Sequence, residues 1–346
     1  MSFIDSLVSS PNVKMVSINF RAENIYKNIS YLFLHMTIKH LVISGGGPSG
    51  ILAYGIVSRL ATKGFWQLAD IKSMYGTSIG ALVCFMVSLG YEWEWLDDYF
   101  IKRPWEKLVA SSRTKITEIY EKKCLLNHHF YIEAIKPLLR GKDLSDTITL
   151  AEFYAFNKIE LHMFCVNINA AKLEKIDISY KSHPDLQLIQ ALCMTMAVPI
   201  IFEPVFIDDN CYVDGALLTN FPLSDCIKQE KCDTDEILAI KNIWKEIGRE
   251  KINEKSSMFD FILEIIKKMR ASIDIDNSHP HIKYNVDCVT DEIAGFDKWA
   301  ETLSNEEMRK RLVVNGWAQA ELFLTGDGNV DGDGDGNGDG NVGGVL

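Results

Sequence analysis

The stretch Ser73-Met74-Tyr75-Gly76-Thr77-Ser78-Ile79-Gly80-Ala81-Leu82 constrains this chain more than any other. It reads as the end of a buried strand, a tight turn at Ser78, and the first turn of an apolar helix through Val83, Phe85, Met86 and Val87. A G-x-S-x-G pentapeptide at a strand-to-helix junction is what a nucleophile elbow requires. The small flanking residues let the chain turn sharply enough to lift the serine Oγ clear of the sheet. Ser78 is therefore the candidate nucleophile, with Gly76 and Gly80 supporting the turn. At average glycine usage, with serine similar, so short a match arises by chance in about one chain in ten of this length. Its surroundings must carry the reading.

Upstream, Lys39 to Ser44 reads as a short buried strand running into Gly45-Gly46-Gly47-Pro48-Ser49-Gly50 and an apolar helix from Ile51 to about Lys63, with Gly64 as its stop. Successive glycines leave amides unobstructed at the mouth of a helix, where the dipole favours negative charge. Such a loop binds a phosphate or serves as an oxyanion hole. Gly45-x-Gly47-x-x-Gly50 also fits a dinucleotide fingerprint, with Asp70 twenty residues beyond. However, the segment after Asp70 leads within eight residues to Ser78 on its own elbow, which a dinucleotide-binding half does not need. No G-K-[ST] follows, so a P-loop is excluded.

Further on, Tyr91 to Phe100 is aromatic and acidic and reads as the edge of a core. Ile116 to Arg140 reads as one helix carrying His128, His129 and Glu133, which cannot converge on a metal because adjacent helical residues face apart. Strands follow at 160–168 and 172–179. Asp185 is positioned to cap a helix from Leu186 to about Ala197 that Pro199 ends. Glu203 to Val213 reads as a hairpin leading into Asp214-Gly215-Ala216, with Asn220 and Pro222 beyond.

Three spaced motifs now stand in order: GGGPSG after a strand, GTSIGA at an elbow, and A-x-P-x-x-F…Y-V-D-G-A…N-x-P about 136 residues past the serine. Together, over roughly residues 38–228, they resemble the patatin-like phospholipases. The resemblance implies a three-layer α/β/α sandwich related to the α/β-hydrolases and a Ser-Asp dyad in place of a triad. By resemblance, Ser78 is the nucleophile, Asp214 the base, and Gly45, Gly46 and Gly47 the oxyanion loop, with Gly50, Gly76, Gly80, Gly215 and Ala216 as supporting positions. Two departures stand out. The family usually has Arg or Lys where this chain has Ser49, and the common A-S-x-A-x-P segment is Met194-Thr195-Met196-Ala197-Val198-Pro199 here. The second is read as a packing change without chemical consequence. A Ser-Asp-His triad would need His279 or His281, which follow Asp214 in the order such a triad requires but sit in a polar segment outside the match.

The formal charge is −11, and five aspartates lie in the final Gly-rich stretch, leaving the body about −6. A body of that sign does not attract nucleic acid. Eight scattered cysteines without C-x-x-C pairs read as reduced structural thiols. No secretory leader or spanning segment is visible, so the expected setting is intracellular, cytosolic or peripheral to membranes. Asn28 heads a sequon that reads as coincidence. The expected organisation is an N-terminal extension (1–37), a patatin-like catalytic domain (38–228), a mainly helical C-terminal region (229–325) and a disordered Gly/Asp tail (326–346). Residues 15–18 read as a short strand and 22–33 as a helix. Ser257 opens a further helix with Phe259, Ile262, Ile266 and Met269 on one stripe, read as packed on the core, with a lipid-seated helix as the sharper alternative. The tail's aspartates lack the twelfth-position Glu of a calcium loop. The expected activity is hydrolysis of phospholipid or other lipid esters without metal or organic cofactor. A weakly catalytic lipid-binding regulator and an acyltransferase are the alternatives.

Overall fold

The structure is a computed structural model and describes residues 37–244, 251–273, 280–290 and 296–326. The expected strand at 15–18, the helix at 22–33, Asn28, His279 and the tail beyond Gly326 lie outside the described residues.

The strands are β1 (His40–Ile43), β2 (Ser73–Thr77), β3 (Cys124–Leu126), β4 (Glu160–Asn167), β5 (Glu174–Ile178), β6 (Ile200–Phe202), β7 (Val205–Ile207), β8 (Asn210–Asp214), β9 (Ile237–Trp244) and β10 (Tyr284–Thr290). The helices are α1 (Gly50–Thr62), α2 (Ile79–Ser88), α3 (Trp93–Lys102), α4 (Trp105–Ser112), α5 (Ile119–Lys122), α6 (His129–Arg140), α7 (Leu150–Asn157), α8 (Leu188–Thr195), α9 (Leu223–Glu230), α10 (Met258–Ile273), α11 (Phe296–Ser304) and α12 (Glu306–Thr325). Hydrogen bonding links the main sheet in the order β10-β9-β1-β2-β4-β8-β7, with β5 also paired to β4.

β10, β9, β1, β2 and β4 run parallel, and their interior residues alternate between two cores. Leu41, Ile43 and Met74 face a large apolar layer shared with α1, α2 and α8. Val42, Tyr75 and Phe164 face a thinner one covered by α9 through Leu223 and Cys226. β1, β2 and β4 are buried along their whole length, as a sheet covered on both faces requires, and the architecture is a three-layer α/β/α sandwich.

The C-terminal region is mainly helical, in α10, α11 and α12, and also supplies β9 and β10 to the sheet. α12 lies against α1 at a small-residue crossing. A Cβ on Gly316 would lie 2.3 Å from Leu52 O, and one on Gly55 would lie 2.5 Å from Val313 O. Arg309 of α12 is fully buried and donates to the carbonyls of Ile101, Arg103, Thr302 and Leu303. Its charge thereby sits at the C-terminal ends of α3 and α11, where helix dipoles favour a cation.

Several local expectations change. The single helix expected at 116–140 is broken: Lys123 adopts left-handed φ 59, and Cys124–Leu126 leaves the helix to pair in parallel with Ile200–Phe202. Two apolar strand faces meeting there outweigh helix continuity. Asp185 does not cap α8, whose N-cap is Gln187 without a side-chain bond. In α10, Met269 is exposed together with Met258, Phe261 and Ile265, while Ile262 and Ile266 are half-buried. The exposed apolar residues border the half-buried ones along one broad stripe, and the side chain of Phe259 lies outside the described set. All eight cysteines are free, and among the described residues no helix is long and apolar enough to cross a membrane.

On the thinner face, His162 stacks on Tyr75, with ring centroids 4.1 Å apart, and lies 2.9 Å from Asp177. Glu160 lies 3.2 Å from the other ring nitrogen of His162. Burial opposes the imidazolium, yet the two carboxylates prevail and push His162 up to about 9. A folded-state value raised above the usual 6.5 stabilises the fold fully below about pH 6.5, and this contribution is lost as pH rises through about 9. Wild type should therefore lose about 1 to 3 kcal/mol more urea stability between pH 6 and pH 9.5 than His162→Gln does. At the helix crossing, Gly316→Leu should lower unfolding free energy by at least about 2 kcal/mol in the same assay, because backbone cannot retreat as a side chain can.

Candidate active site

β5 occupies one edge of β4 from Met163 to Asn167. A strand has two edges, so β2 and β8 must share the other. β2 climbs it as far as Thr77, opposite Phe164, and the antiparallel β8 descends it as far as Asp214, opposite Cys165. The two strand ends meet one register step apart, a rise of about 3.4 Å. Ser78 and Asp214, 136 positions apart in sequence, are brought together there.

Ser78 itself sits at φ 55, ψ −128, a backbone conformation that L side chains rarely adopt. Close packing holds it. A Cβ on Gly76 would lie 2.5 Å from Ala81 N, and one on Gly80 would lie 2.3 Å from Ile43 O, so α2 starts directly on the ends of β1 and β2. The Ser78 amide donates to Thr195 Oγ1 at 2.9 Å, and Thr195 Oγ1 donates to Phe164 O at 2.6 Å. Two residues later Ala197 O accepts from Asp214 N at 3.0 Å. The end of α8 and the residues just after it thus tether both candidates. Thr195 therefore has a hydrogen-bonding role in addition to the packing one expected. The signal was present in the sequence, since a hydroxyl is kept at the serine position of the family's pattern.

Asp214 is 2% exposed and Ser78 6%. One carboxylate oxygen of Asp214 accepts from Ala216 N at 2.8 Å, within the tight turn Gly215–Leu217. The backbone at Gly215 lies directly on Phe164, since a Cβ there would come within 2.2 Å of Phe164 O. Burial first, and then the nearby Asp214 carboxylate, push the Cys165 thiol and Tyr131 hydroxyl well above their ordinary ranges. Tyr131 donates to Met196 O at 3.0 Å, which ties α6 to the same segment.

The glycine loop lies beside Ser78. A Cβ on Gly45 would be 3.3 Å from that of Ser78. The first carbonyls are held from outside the loop, Asn242 Nδ2 donating to Ser44 O and Gly45 O and Asn220 Nδ2 to Gly45 O, and the next from within it, Ser49 Oγ donating to Gly46 O. The Gly45 amide is committed to Asn220 O at 2.9 Å. The amides of Gly46 and Gly47 have no acceptor among the described residues. Gly47 takes φ 57, and a Cβ there would fall 2.1 Å from the Trp299 ring of α11. Gly50 is equally close to Ile79, bringing α1 against α2. Sequence reasoning did not find Asn242 and Trp299, which lie beyond the motifs and reach the loop only through the fold.

The remaining candidates lie elsewhere. His281 is exposed just before β10, at the amino ends of the parallel strands and so opposite the edge that carries Ser78. His128 bonds Glu203 O at 2.9 Å as a satisfied structural histidine. His40, Cys232 and Glu236 bring ligand atoms within 4.8 Å of one another at the foot of β1. However, Ser73 Oγ engages His40 at 2.7 Å and Lys39 pairs with Glu236, far from Ser78.

A family model described as patatin-like phospholipase matches residues 41–227. The chain belongs to the patatin-like phospholipase family. "Probable lipid hydrolase 463L" of Invertebrate iridescent virus 6 is 26% identical over 60% of this patatin-like chain and 70% of its own length. The uncharacterized protein R571 of Acanthamoeba polyphaga mimivirus is 24% identical over 54% of this chain and 61% of its own. Among solved structures, VipD from Legionella pneumophila is similar at TM-score 0.46 and 15% identity, over 83% of this chain and 67% of that one. ExoU of Pseudomonas aeruginosa, solved with SpcU, is similar at TM-score 0.38 and 16% identity, over 83% of this chain and 52% of that one. This chain therefore spans about half the length of ExoU and under two thirds of R571. A lipid-hydrolase function in general follows from the family.

Thr195→Val should leave the Ser78 amide and Phe164 O unmet and cost about 1 to 3 kcal/mol, while Thr195→Ser should retain most of that stability. Urea denaturation of the two variants distinguishes the lost hydroxyl from lost packing.

Proposed function

We propose that this patatin-like chain is a serine acyl hydrolase of lipid esters that works through Ser78 and Asp214. The observation carrying the reading is the head-on meeting of β2 and β8 on one edge of β4, which leaves an alcohol and a buried carboxylate near two amides that have no acceptor among the described residues.

Asp214 takes the Ser78 Oγ proton as Oγ attacks the ester carbonyl. A carboxylate in water, with pKa about 3.9, is a weak base for an alcohol. Desolvation makes it a better one, because the charged form loses hydration. The developing oxyanion is met by the Gly46 and Gly47 amides, each such donor contributing about 2.7 to 4 kcal/mol in comparable sites. Gly45 contributes closeness instead of a donor. Asp214 then protonates the leaving alcohol and an acyl group remains on Ser78. Water attacks the acyl-enzyme, gives its proton to Asp214, and the fatty acid leaves as Ser78 regains its hydrogen.

Ser49 is fully buried and spends its hydroxyl on Gly46 O, so it steadies the loop where the family's cation would add charge. This favours a hydrolase of lower intrinsic rate over one with a remodelled mechanism. It is also the observation behind the lipid-binding alternative.

A fluorophosphonate probe should label wild type but not Ser78→Ala. Asp214→Asn should lower kcat/KM on a short-chain ester by at least about 10³-fold, with its unfolding midpoint near that of wild type. Turnover that persists in Asp214→Asn would remove the dyad, and an acyl product formed on added alcohol in place of free acid would make the chain an acyltransferase.

A further inference from the structure

Ile116 and Tyr120 are 90% and 96% exposed, on the short helical segment that ends at the left-handed Lys123. Large apolar side chains so completely in water are uncommon on a soluble surface unless they serve a contact. Lys123 Nζ lies 5.7 Å over the ring of Phe206, itself 57% exposed. Phe206 pairs across the hairpin with Cys211, whose carbonyl accepts from Ile168 N, and Ile168 is exposed too.

These residues share an edge with the site. Ile168 follows the carboxyl end of β4, and Cys211 lies three residues along β8 from Asp214, roughly 10 Å at 3.4 Å per residue. The charge is local as well. Residues 113–123 contain Arg113, Lys115, Lys122 and Lys123 against Glu118 and Glu121, a net positive segment in a chain of −11. Glu118 lies 3.6 Å from both Lys115 and Lys122, and the hairpin turn beyond Phe206 carries exposed Asp208 and Asp209, so the positive excess resides in the 113–123 segment itself. An apolar tip with that excess on an otherwise acidic body is complementary to an anionic lipid interface.

We infer that the Arg113–Lys123 segment, with Phe206 and Ile168, is the face on which this protein docks to anionic phospholipid membranes, seating Ile116 and Tyr120 among the headgroups and turning the Ser78 edge toward the lipid. This rests on the reading of the chain as a lipid-ester hydrolase. The exposed face of α10 is the rival surface. Its Met258, Phe261, Ile265 and Met269 share the helix with Asp260 and Glu264 against Lys267, Lys268 and Arg270, a smaller positive excess than that of residues 113–123, so its charge favours an anionic surface less.

The test is sedimentation of the full chain with vesicles of phosphatidylcholine alone or with about one third phosphatidylserine, beside turnover of a water-soluble short-chain ester. Wild type should bind the anionic vesicles at least tenfold more tightly than the neutral ones. Ile116→Ser/Tyr120→Ser should lose at least tenfold of that binding, and Lys115→Glu/Lys122→Glu should abolish the anionic preference. Both should turn over the soluble ester as wild type does, which also shows that they fold. Equal binding of wild type and both variants would overturn the inference, as would loss of binding in Met258→Ser/Phe261→Ser alone, or no vesicle binding by wild type. If wild type binds vesicles and the variants release them while no ester is hydrolysed, the docking face stands and the hydrolase reading falls.

Discussion

The single edge of β4 that β2 and β8 divide between them is the constraint on which the rest depends. β5 closes the other edge, so a strand rising from the amino side and one descending from the carboxyl side must end against each other. Neither can continue. β2 escapes by a turn at Ser78 that needs Gly76 and Gly80 almost in contact with neighbouring backbone, and β8 escapes by a tight turn capped by its own Asp214. Two forced exits at one point place two polar side chains where the sheet would otherwise be apolar. Thr195 then gives the Ser78 amide a partner that no ladder could supply.

The elements beyond residue 227 bear on the site although the family match ends there. β9 delivers Asn242, whose amide holds two carbonyls of the glycine loop. Gly45 O is held there and Gly46 O by Ser49, while the Gly46 and Gly47 amides have no acceptor among the described residues. α11 lays Trp299 on Gly47, and Arg309 pins the end of α11 to the end of α3. A loop of glycines is floppy by itself, because nothing in its own side chains limits the backbone. Here its rigidity comes from strands and helices remote in sequence, a common way to preorganise donors before a reaction begins.

Local chemistry explains which features could be read in the chain. Strand, glycine loop and helix at 40–62, the elbow at Ser78 and the hairpin at 205–214 each depend on neighbours within a few residues, so apolar runs and glycines announced them. The helix expected across 116–140 failed for the opposite reason. Its periodicity was sound, but Cys124–Leu126 found a partner strand some 75 residues away. Asn242 carried no mark at all, since an asparagine in an apolar strand acquires meaning from the carbonyl it faces. The exposure of Ile116 and Tyr120 was equally silent, because an amphipathic pattern cannot distinguish a face that packs from one that meets solvent.

By itself, then, the amino-acid sequence determined the class of fold, the elbow, the glycine loop and the identity of the two polar residues, because turn geometry and burial pattern are written in short-range residue types. Tertiary structure alone decided that those two residues meet, which glycine amides are left without an acceptor, and which apolar side chains face water. Each of these depends on strand edges and carbonyl partners contributed from across the chain, and no local spacing encodes them.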